Sequence, residues 1–435
     1  MIYLEYRNNL IRKKRFIISS QASMVRRNVV IMWFANFFVS GSLTMVLPFL
    51  SLYIDSLGDF SESYVQTWSG YVFGITFVTA FFFSPIWGRI GDKYGRKKIL
   101  IFSASGLALS VLLMGYASSV FELFLLRLLM GVFTGFIPMS QALISVQTPK
   151  EIAGRVLGTL QTGSITGTLL GPILGGTLAD QFGFAATFKG VSFTIFLSAI
   201  IVLFGIKEMQ VTITDVNEKN DYSRKEVFLH IFKQPILLIV MLLSMLIQIA
   251  HFSIQPILSL YVAEINGPNN IAFYSGLAFS AGGIGNLFMA RRWGMLGDRV
   301  GHTKVIIALL FLTGLVYLPG AWVTSLWQLI ILRFLVGVTL GGIIPVRLAY
   351  LRKEAPVAMQ GEVIGYNMSL QFLGNVAGPA LGGIIAGMFG IASVFYATSG
   401  LLVLGGVIML LAVYNFEYKV KKGSNLSTYE ERGNH

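Results

Sequence analysis

The sequence predicts an all-α membrane protein, with twelve transmembrane helices in two pseudo-symmetric six-helix halves. Two observations predict it. The 27 residues between Arg27 and Asp55 carry no charge, the first of a series of such runs, and about 20 apolar residues suffice for a helix to cross a bilayer. A glycine-proline pattern also occurs twice, as Gly158, Gly167, Gly171, Pro172, Gly175, Gly176 and as Gly365, Gly374, Gly378, Pro379, Gly382, Gly383, every pair 207 positions apart. A period that long marks an internal duplication rather than a solenoid.

Taken in order, the runs predict spans at 29–54, 64–88, 99–120, 123–147, 156–179, 189–206, 235–263, 271–290, 304–324, 327–346, 363–387 and 391–415. Further landmarks recur near the same period: Ser69-Gly70 with Ser275-Gly276, Trp87-Gly88 with Trp293-Gly294, and Arg127 with Arg333. Charge is sparse, at 12% of residues against 54% apolar, about half the charged fraction of a soluble domain. Lys and Arg orient the chain by the positive-inside rule. With the N-terminus inside, 30 of the 33 fall on cytoplasmic segments, Arg127 and Arg333 lie within spans, and Lys189 sits outside. Both termini are therefore expected in the cytoplasm of a bacterial cell, the protein being a multi-pass component of its inner membrane.

The domains follow from the same runs. Residues 1–27 form a basic cytoplasmic tail, 28–206 the first half, 207–233 a cytoplasmic linker with ten charges, 234–416 the second half and 417–435 a cytoplasmic tail. Met24 directly precedes the first span and is an alternative start. Six spans, an even number, separate the copies, so equivalent helices keep one orientation and a substrate site is expected between the halves. The net charge of +13 is spread over short loops, which fits anionic lipid at the inner leaflet and argues against a nucleic-acid partner. No cysteine is present, so disulfides and thiolate metal sites are excluded. The run Gly282-Gly283-Ile284-Gly285 lies inside a span and is a packing element rather than a phosphate loop. No cofactor is expected, and an ion gradient is the expected energy source.

Four motifs carry a family resemblance. Between spans 2 and 3 the chain reads Gly88, Asp92, Lys93, Gly95, Arg96, Lys97, with a weaker copy at Gly294 and Asp298 after span 8. This resembles the GxxxDxxGRR/K loop of the major facilitator superfamily, which implies a latch on the cytoplasmic gate. Gly88 is expected to permit close helix approach, Gly95 a tight turn, and Asp92 to accept bonds from a neighbouring helix N-terminus. The pattern Gly158, Gly167, Gly171, Pro172, Gly175 and Gly176 resembles the antiporter signature of that superfamily, and Gly163, Gly167, Gly171 and Gly175 form one stripe for close packing. Pro48 to Tyr53 is similar to the LPxLPxY element of the twelve-span drug antiporters, with Ser51 in place of the second proline. Arg127 with Gly131 resembles the RxxxG element and its proton-transfer arginine. Over about residues 25–418 the closest likeness is to bacterial multidrug resistance proteins of the fosfomycin/deoxycholate efflux type.

The resemblance implies a monomeric, proton-coupled efflux antiporter that exports amphipathic drugs by alternating access. Candidates for proton coupling are Arg127, Arg333, Asp55, Glu122 and His251. The acids all lie near span edges, whereas His251 is near mid-membrane, and an ordinary imidazole titrates at about pH 6.5. Ser244, Gln248, His251, Gln255 and Ser259 fall at helical steps on one face, as do Asn36, Ser40 and Thr44 on span 1 and Asn367, Gln371 and Asn375 on span 11. Such stripes should face a wet cavity rather than lipid. Tyr71 and Phe136 are expected to add adaptable aromatic contacts there. Two other readings remain open from the residues: a metabolite or sugar uniporter or importer of the same fold, and a transport-inactive receptor or scaffold. No enzyme site emerges.

Overall fold

In a bilayer core every backbone N–H and C=O must be bonded within the chain, and an uncharged run meets that demand as a helix. A computed structural model describes residues 2–208, 224–356 and 359–433, and every regular element in them is helical. In order these are α1 (Ile2–Met45), α2 (Leu50–Asp55), α3 (Glu62–Tyr94), α4 (Arg96–Met114), α5 (Val120–Val132), α6 (Phe136–Gln147), α7 (Lys150–Phe182) and α8 (Phe184–Gly205). Then follow α9 (Arg224–Lys233), α10 (Pro235–Ser253), α11 (Leu258–Asn266), α12 (Ile271–Val300), α13 (His302–Tyr317), α14 (Leu326–Glu354), α15 (Gln360–Phe389) and α16 (Ile391–Gly433). The segments expected as terminal tails are continuous in backbone with α1 and α16.

Eleven helical segments are long and apolar enough to cross a membrane among the described residues, not the expected twelve. The remaining expected span, 156–179, lies in α7, which has the length, 33 residues, but is rich in Gly and Thr. Several expected spans are broken, some of them at a proline. The run 29–54 is α1 and α2 separated around Pro48, and α10 likewise gives way to α11 through a 3-10 turn at Gln255–Ile257. Proline supplies no N–H to the helix, so each break falls where the ladder loses a donor. Span 123–147 is α5 and α6 with a turn at 133–135, whereas its repeat partner α14 is unbroken despite Pro345.

The chain divides into two compact units that do not follow the sequence halves. Residues 1–47 and 79–216 form one; residues 48–78 and 217–435 form the other. In the first unit α1 packs against α7 and α8, and α4 against α8, α5 and α6. A methyl group added at Gly167, Gly171 or Gly175 would overlap the carbonyl oxygens of Phe37, Gly41 and Met45 respectively. Gly163 is held equally close to Trp33, so the four-residue glycine stripe lets α7 lie directly on the α1 backbone. The opening Gly158 has open space around it.

In the second unit α12 packs on α14, α10 on α15, and α13 on α14 and α16. Gly374, Gly378 and Gly382 meet the carbonyls of Met245, Ile249 and Ser253. The opposite side of α15 closes on the first half of α3: Gly70 meets the Pro379 carbonyl, Gly383 that of Gln66, and Gly387 that of Ser63. Nearby, Ser51 Oγ donates to the Pro256 carbonyl oxygen. At this end of the unit a pocket of about 430 Å³ is lined by Asp55, Glu62, Gln66 and Glu264 among others.

Candidate functional site

Helices α10, α14 and α15 bring a set of polar side chains together inside the second unit. Ser244 Oγ donates to Asn367 Oδ1 at 2.5 Å, joining the α10 stripe to α15. Gln371 Nε2 donates to the Asn367 carbonyl oxygen at 3.4 Å, and Gln371 Oε1 accepts from Arg347 Nη2 at 3.0 Å. Gln248 covers Gly374, and His251 Nε2 lies 3.5 Å from Gln255 Nε2. His251 stands edge-on to Phe252, which is edge-on to Phe77 of α3, so an aromatic wall borders the polar layer.

The layer is only partly satisfied. Arg347 Nε and Nη1, His251 Nδ1, Gln255 Oε1, Ser259 Oγ and Asn375 Oδ1 are buried and have no hydrogen-bond partner among the described residues. Arg347 is 3% exposed. A buried charge without a countercharge is disfavoured by several kcal/mol, about the size of a whole core substitution. Sequence reasoning ended the tenth expected span at 346 and left Arg347 just outside it; the structure continues the same helix through Arg347 and buries the side chain. The residue lies inside α14, seven positions before the helix ends at Glu354.

The first unit places its candidates differently. Asn36 is fully buried with neither side-chain atom partnered among the described residues, and Ser40 is 8% exposed. Thr44 Oγ1 donates back to the carbonyls of Ser40 and Gly41 at 3.1 and 3.0 Å, so it is engaged with its own helix. Phe136, expected to line a cavity, is fully buried and belongs to the packed core, because α6 turns it inward beside Met139 and Ser140. Tyr71, in the second unit, stands edge-on to Trp68 and is exposed.

Arg127 and Arg333 are both almost wholly buried, at 4% and 3% exposure, so neither reaches water at a span end. Arg127 Nη1 lies 3.6 Å from Met130 Sδ, and Arg333 Nε lies 3.5 Å from the Ala278 carbonyl oxygen with Tyr317 alongside. Asp55 is exposed and borders the pocket with Glu62 and Glu264. Glu122 has a helix-capping arrangement: Ser119 Oγ accepts from the Glu122 N–H, while Glu122 Oε2 accepts from the Ser118 N–H at 2.8 Å.

The signature loop is held within the first unit by a residue that sequence reasoning left in the linker. Glu208 accepts from the backbone N–H groups of Arg96 and Lys97 at 2.6 and 3.2 Å, capping the N-terminus of α4. A carboxylate is favoured there because the first amides of a helix are unpaired and point outward. Asp92, expected to take such amides, instead pairs with the Arg96 side chain at 2.7 Å one turn on. Arg96 also donates to the Ala142 carbonyl oxygen, and Lys93 sits over the Tyr94 ring. Lys97 Nζ donates to the Ile206 carbonyl oxygen, and Asn28 bonds Lys207, so the chain is pinned at three consecutive residues, 206 to 208. Gly95 has φ 102° and Gly301 φ 105°, both needing glycine, as a tight turn requires. A methyl group added at Gly88 or Gly294 would meet nothing within 4 Å, so the expected close approach there is absent. In the weaker copy His302 Nε2 lies 3.3 Å from Asp298 Oδ1.

The family model described as Major Facilitator Superfamily matches residues 32–294 and 272–430. The chain belongs to the Major Facilitator Superfamily. Among curated proteins it is 54% identical over 378 residues to the uncharacterized MFS-type transporter YuxJ of Bacillus subtilis (strain 168), covering 87% of this chain and 96% of that protein. It is 38% identical over 407 residues to the multidrug resistance protein MdtG of Dickeya zeae (strain Ech586), covering 93% and 97%. MdtG of Salmonella typhi is also 38% identical, over 90% and 95% of the two chains. The fold is that of a bacterial homologue of the human lysosomal transporter Spinster, with a TM-score of 0.73 at 15% identity over 92% of this chain and 98% of that one. The nucleoside transporter NupG superposes with the same TM-score at 14% identity, covering 90% and 99%. This major facilitator chain is thus a multi-pass membrane transporter whose relatives include multidrug resistance proteins.

Proposed function

We propose that the chain is a proton-coupled efflux antiporter that exports amphipathic small molecules across the bacterial cytoplasmic membrane, as a contributor to antibiotic resistance. The observation that carries this reading is the 38% identity to multidrug resistance proteins along nearly the whole length of both chains. In this reading α7 is the twelfth crossing, both termini are cytoplasmic and the protein works as a monomer. The seam between α3 and α15 is then the outward closure that parts during alternating access. His251, half-buried and with its Nδ1 buried and unpartnered among the described residues, is the group that takes up and releases the coupled proton.

The test is flux of a fluorescent amphipath into inside-out proteoliposomes carrying an imposed pH gradient. Flux should follow the gradient and collapse on adding a protonophore; flux indifferent to both would sink the reading. One observation favours a second reading, a uniporter for a metabolite: the bonds that join the buried layer run between hydroxyl, amide, imidazole and guanidinium groups, without a carboxylate among the described residues. That reading predicts flux set by the substrate gradient alone.

A further inference from the structure

We infer that α9 is an interfacial helix. It lies in the headgroup layer of the leaflet from which α10 starts, with Phe228, Leu229 and Phe232 among the lipid chains and Lys225 and Lys233 against anionic headgroups. The inference goes beyond the transport reading and does not depend on what is carried.

Helix α9 (Arg224–Lys233) falls in the segment expected as a cytoplasmic linker, and it has three sides. Val227 and Ile231, four residues apart and so on one side, are 1% and 4% exposed. They seat a helix that packs on α10 and α15, and Phe228 stands edge-on to Tyr366 of α15. At about 100° of turn per residue, the next side carries Phe228, Phe232 and Leu229, which are 49%, 58% and 53% exposed. Lys225, also exposed, falls between Phe232 and Leu229 on that side. The third side carries Lys233 and Glu226, both exposed, and the half-buried His230.

The position of the helix says what covers its apolar side. Lys233 stands two residues before Pro235, where a segment long and apolar enough to cross a membrane begins. Between them Gln234, at φ −109° and ψ 90°, leaves helical geometry, so α9 is not a straight extension of α10. The helix therefore sits at the membrane boundary and turns away from the line of the span. A protein partner fits this side poorly, because charged residues are depleted at the centre of protein interfaces and Lys225 lies within the apolar set. A bilayer surface accommodates it: the lysine stem lies along the apolar layer while the ammonium reaches the headgroups. Arg224, Lys225 and Lys233 against Glu226 give three positive charges to one, a net +2 with His230 neutral. That charge complements an anionic surface, where each basic residue changes membrane partition by about fivefold.

The test uses the full-length protein, which has no cysteine, with a bimane label on Leu229→Cys, Glu226→Cys or Leu242→Cys. Each is measured in nanodiscs of phosphatidylcholine alone and with about 30% phosphatidylglycerol. Leu242 lies within the span and is exposed, so it supplies the value for a lipid-facing site. The label at 229 should be quenched by nitroxide lipid and should be shielded from iodide by about twofold or more relative to the label at 226. Phosphatidylglycerol should increase both effects. Lys225→Gln combined with Lys233→Gln should remove the phosphatidylglycerol effect at 229 while the signal at 242 stays unchanged, which separates loss of the seat from misfolding. Iodide access at 229 equal to that at 226 in both discs would put α9 in water and overturn the proposal. Burial that is the same with and without phosphatidylglycerol would overturn the assignment to anionic headgroups. Shielding from iodide without quenching by nitroxide lipid would place protein on this side, and energy transfer between labelled copies would identify it as a second copy; either result overturns the proposal.

Discussion

The glycine helices of the two halves, α7 on α1 and α15 on α10, make the same contact with different chemistry around it. Gly167, Gly171 and Gly175 meet the carbonyls of Phe37, Gly41 and Met45; Gly374, Gly378 and Gly382 meet those of Met245, Ile249 and Ser253. Each carbonyl pair is 208 positions apart, as 245 − 37, 249 − 41 and 253 − 45 show. Along the same helices, His251 corresponds to Leu43, Gln371 to Ser164 and Asn367 to Leu160. Backbone packing has been kept in duplicate, and so has polarity at Ser244 and Gln248, whose counterparts are Asn36 and Ser40, whereas His251 and Asn367 face leucines in the other copy. The glycine pattern consequently reports on how the helices fit, and the function of the chain has to be sought in residues the repeat does not share.

The sharpest way to break this comparison is to add one methyl group to it. Gly175→Ala and Gly382→Ala each force a side chain into a carbonyl oxygen, and each should destabilise by about 3 kcal/mol or fail to fold. Fluorescence-detected size exclusion after a temperature series measures this, and equal losses in the two variants would confirm equal packing. Gly70→Ala should come next, at about 1–3 kcal/mol, because it pushes α3 from the Pro379 carbonyl. The chain lacks cysteine, so Gln66→Cys, introduced alone, should label with maleimide faster in the Gly70→Ala background. Glu208→Gln weakens the cap on α4 and should cost about 1 kcal/mol, read as a lower melting temperature with no change in expression. The smallest effect is expected at the opening glycines: Gly158→Ala and Gly365→Ala meet open space and should raise helix stability by up to about 1 kcal/mol. A loss there would show a contact that the packing does not contain.

Much of this was legible in the sequence. Uncharged runs give the helices because length and apolarity are local properties, and the repeat recovers α7 where apolarity alone does not. The glycine stripe and the Gly95 turn followed from spacing and from the freedom of glycine to take a positive φ. Arg347 escaped for a physical reason: ending a span at the first charge puts any buried charge outside by construction. The turn at 133–135 that splits α5 from α6 left only a one-residue change in repeat spacing, from 206 at Arg127 and Arg333 to 207 at Gly135 and Gly342. Glu208 is separated from Arg96 by 112 positions, and no local pattern couples them. Asp92 carried the familiar motif, yet the acid on the helix N-terminus came from elsewhere in the chain.

The pinning of residues 206 to 208 has a mechanical consequence. Glu208 ties the described end of the first unit to the amides that open α4 and, through them, to the Asp92–Arg96 turn beside them. Lys97 and Asn28 hold the two preceding residues, so the stretch that follows α8 is anchored to α4 and α1 as well. To pull residues 206 to 208 away, these bonds to α1 and α4 have to be broken together, so the end of α8 and the signature loop are fastened as one piece.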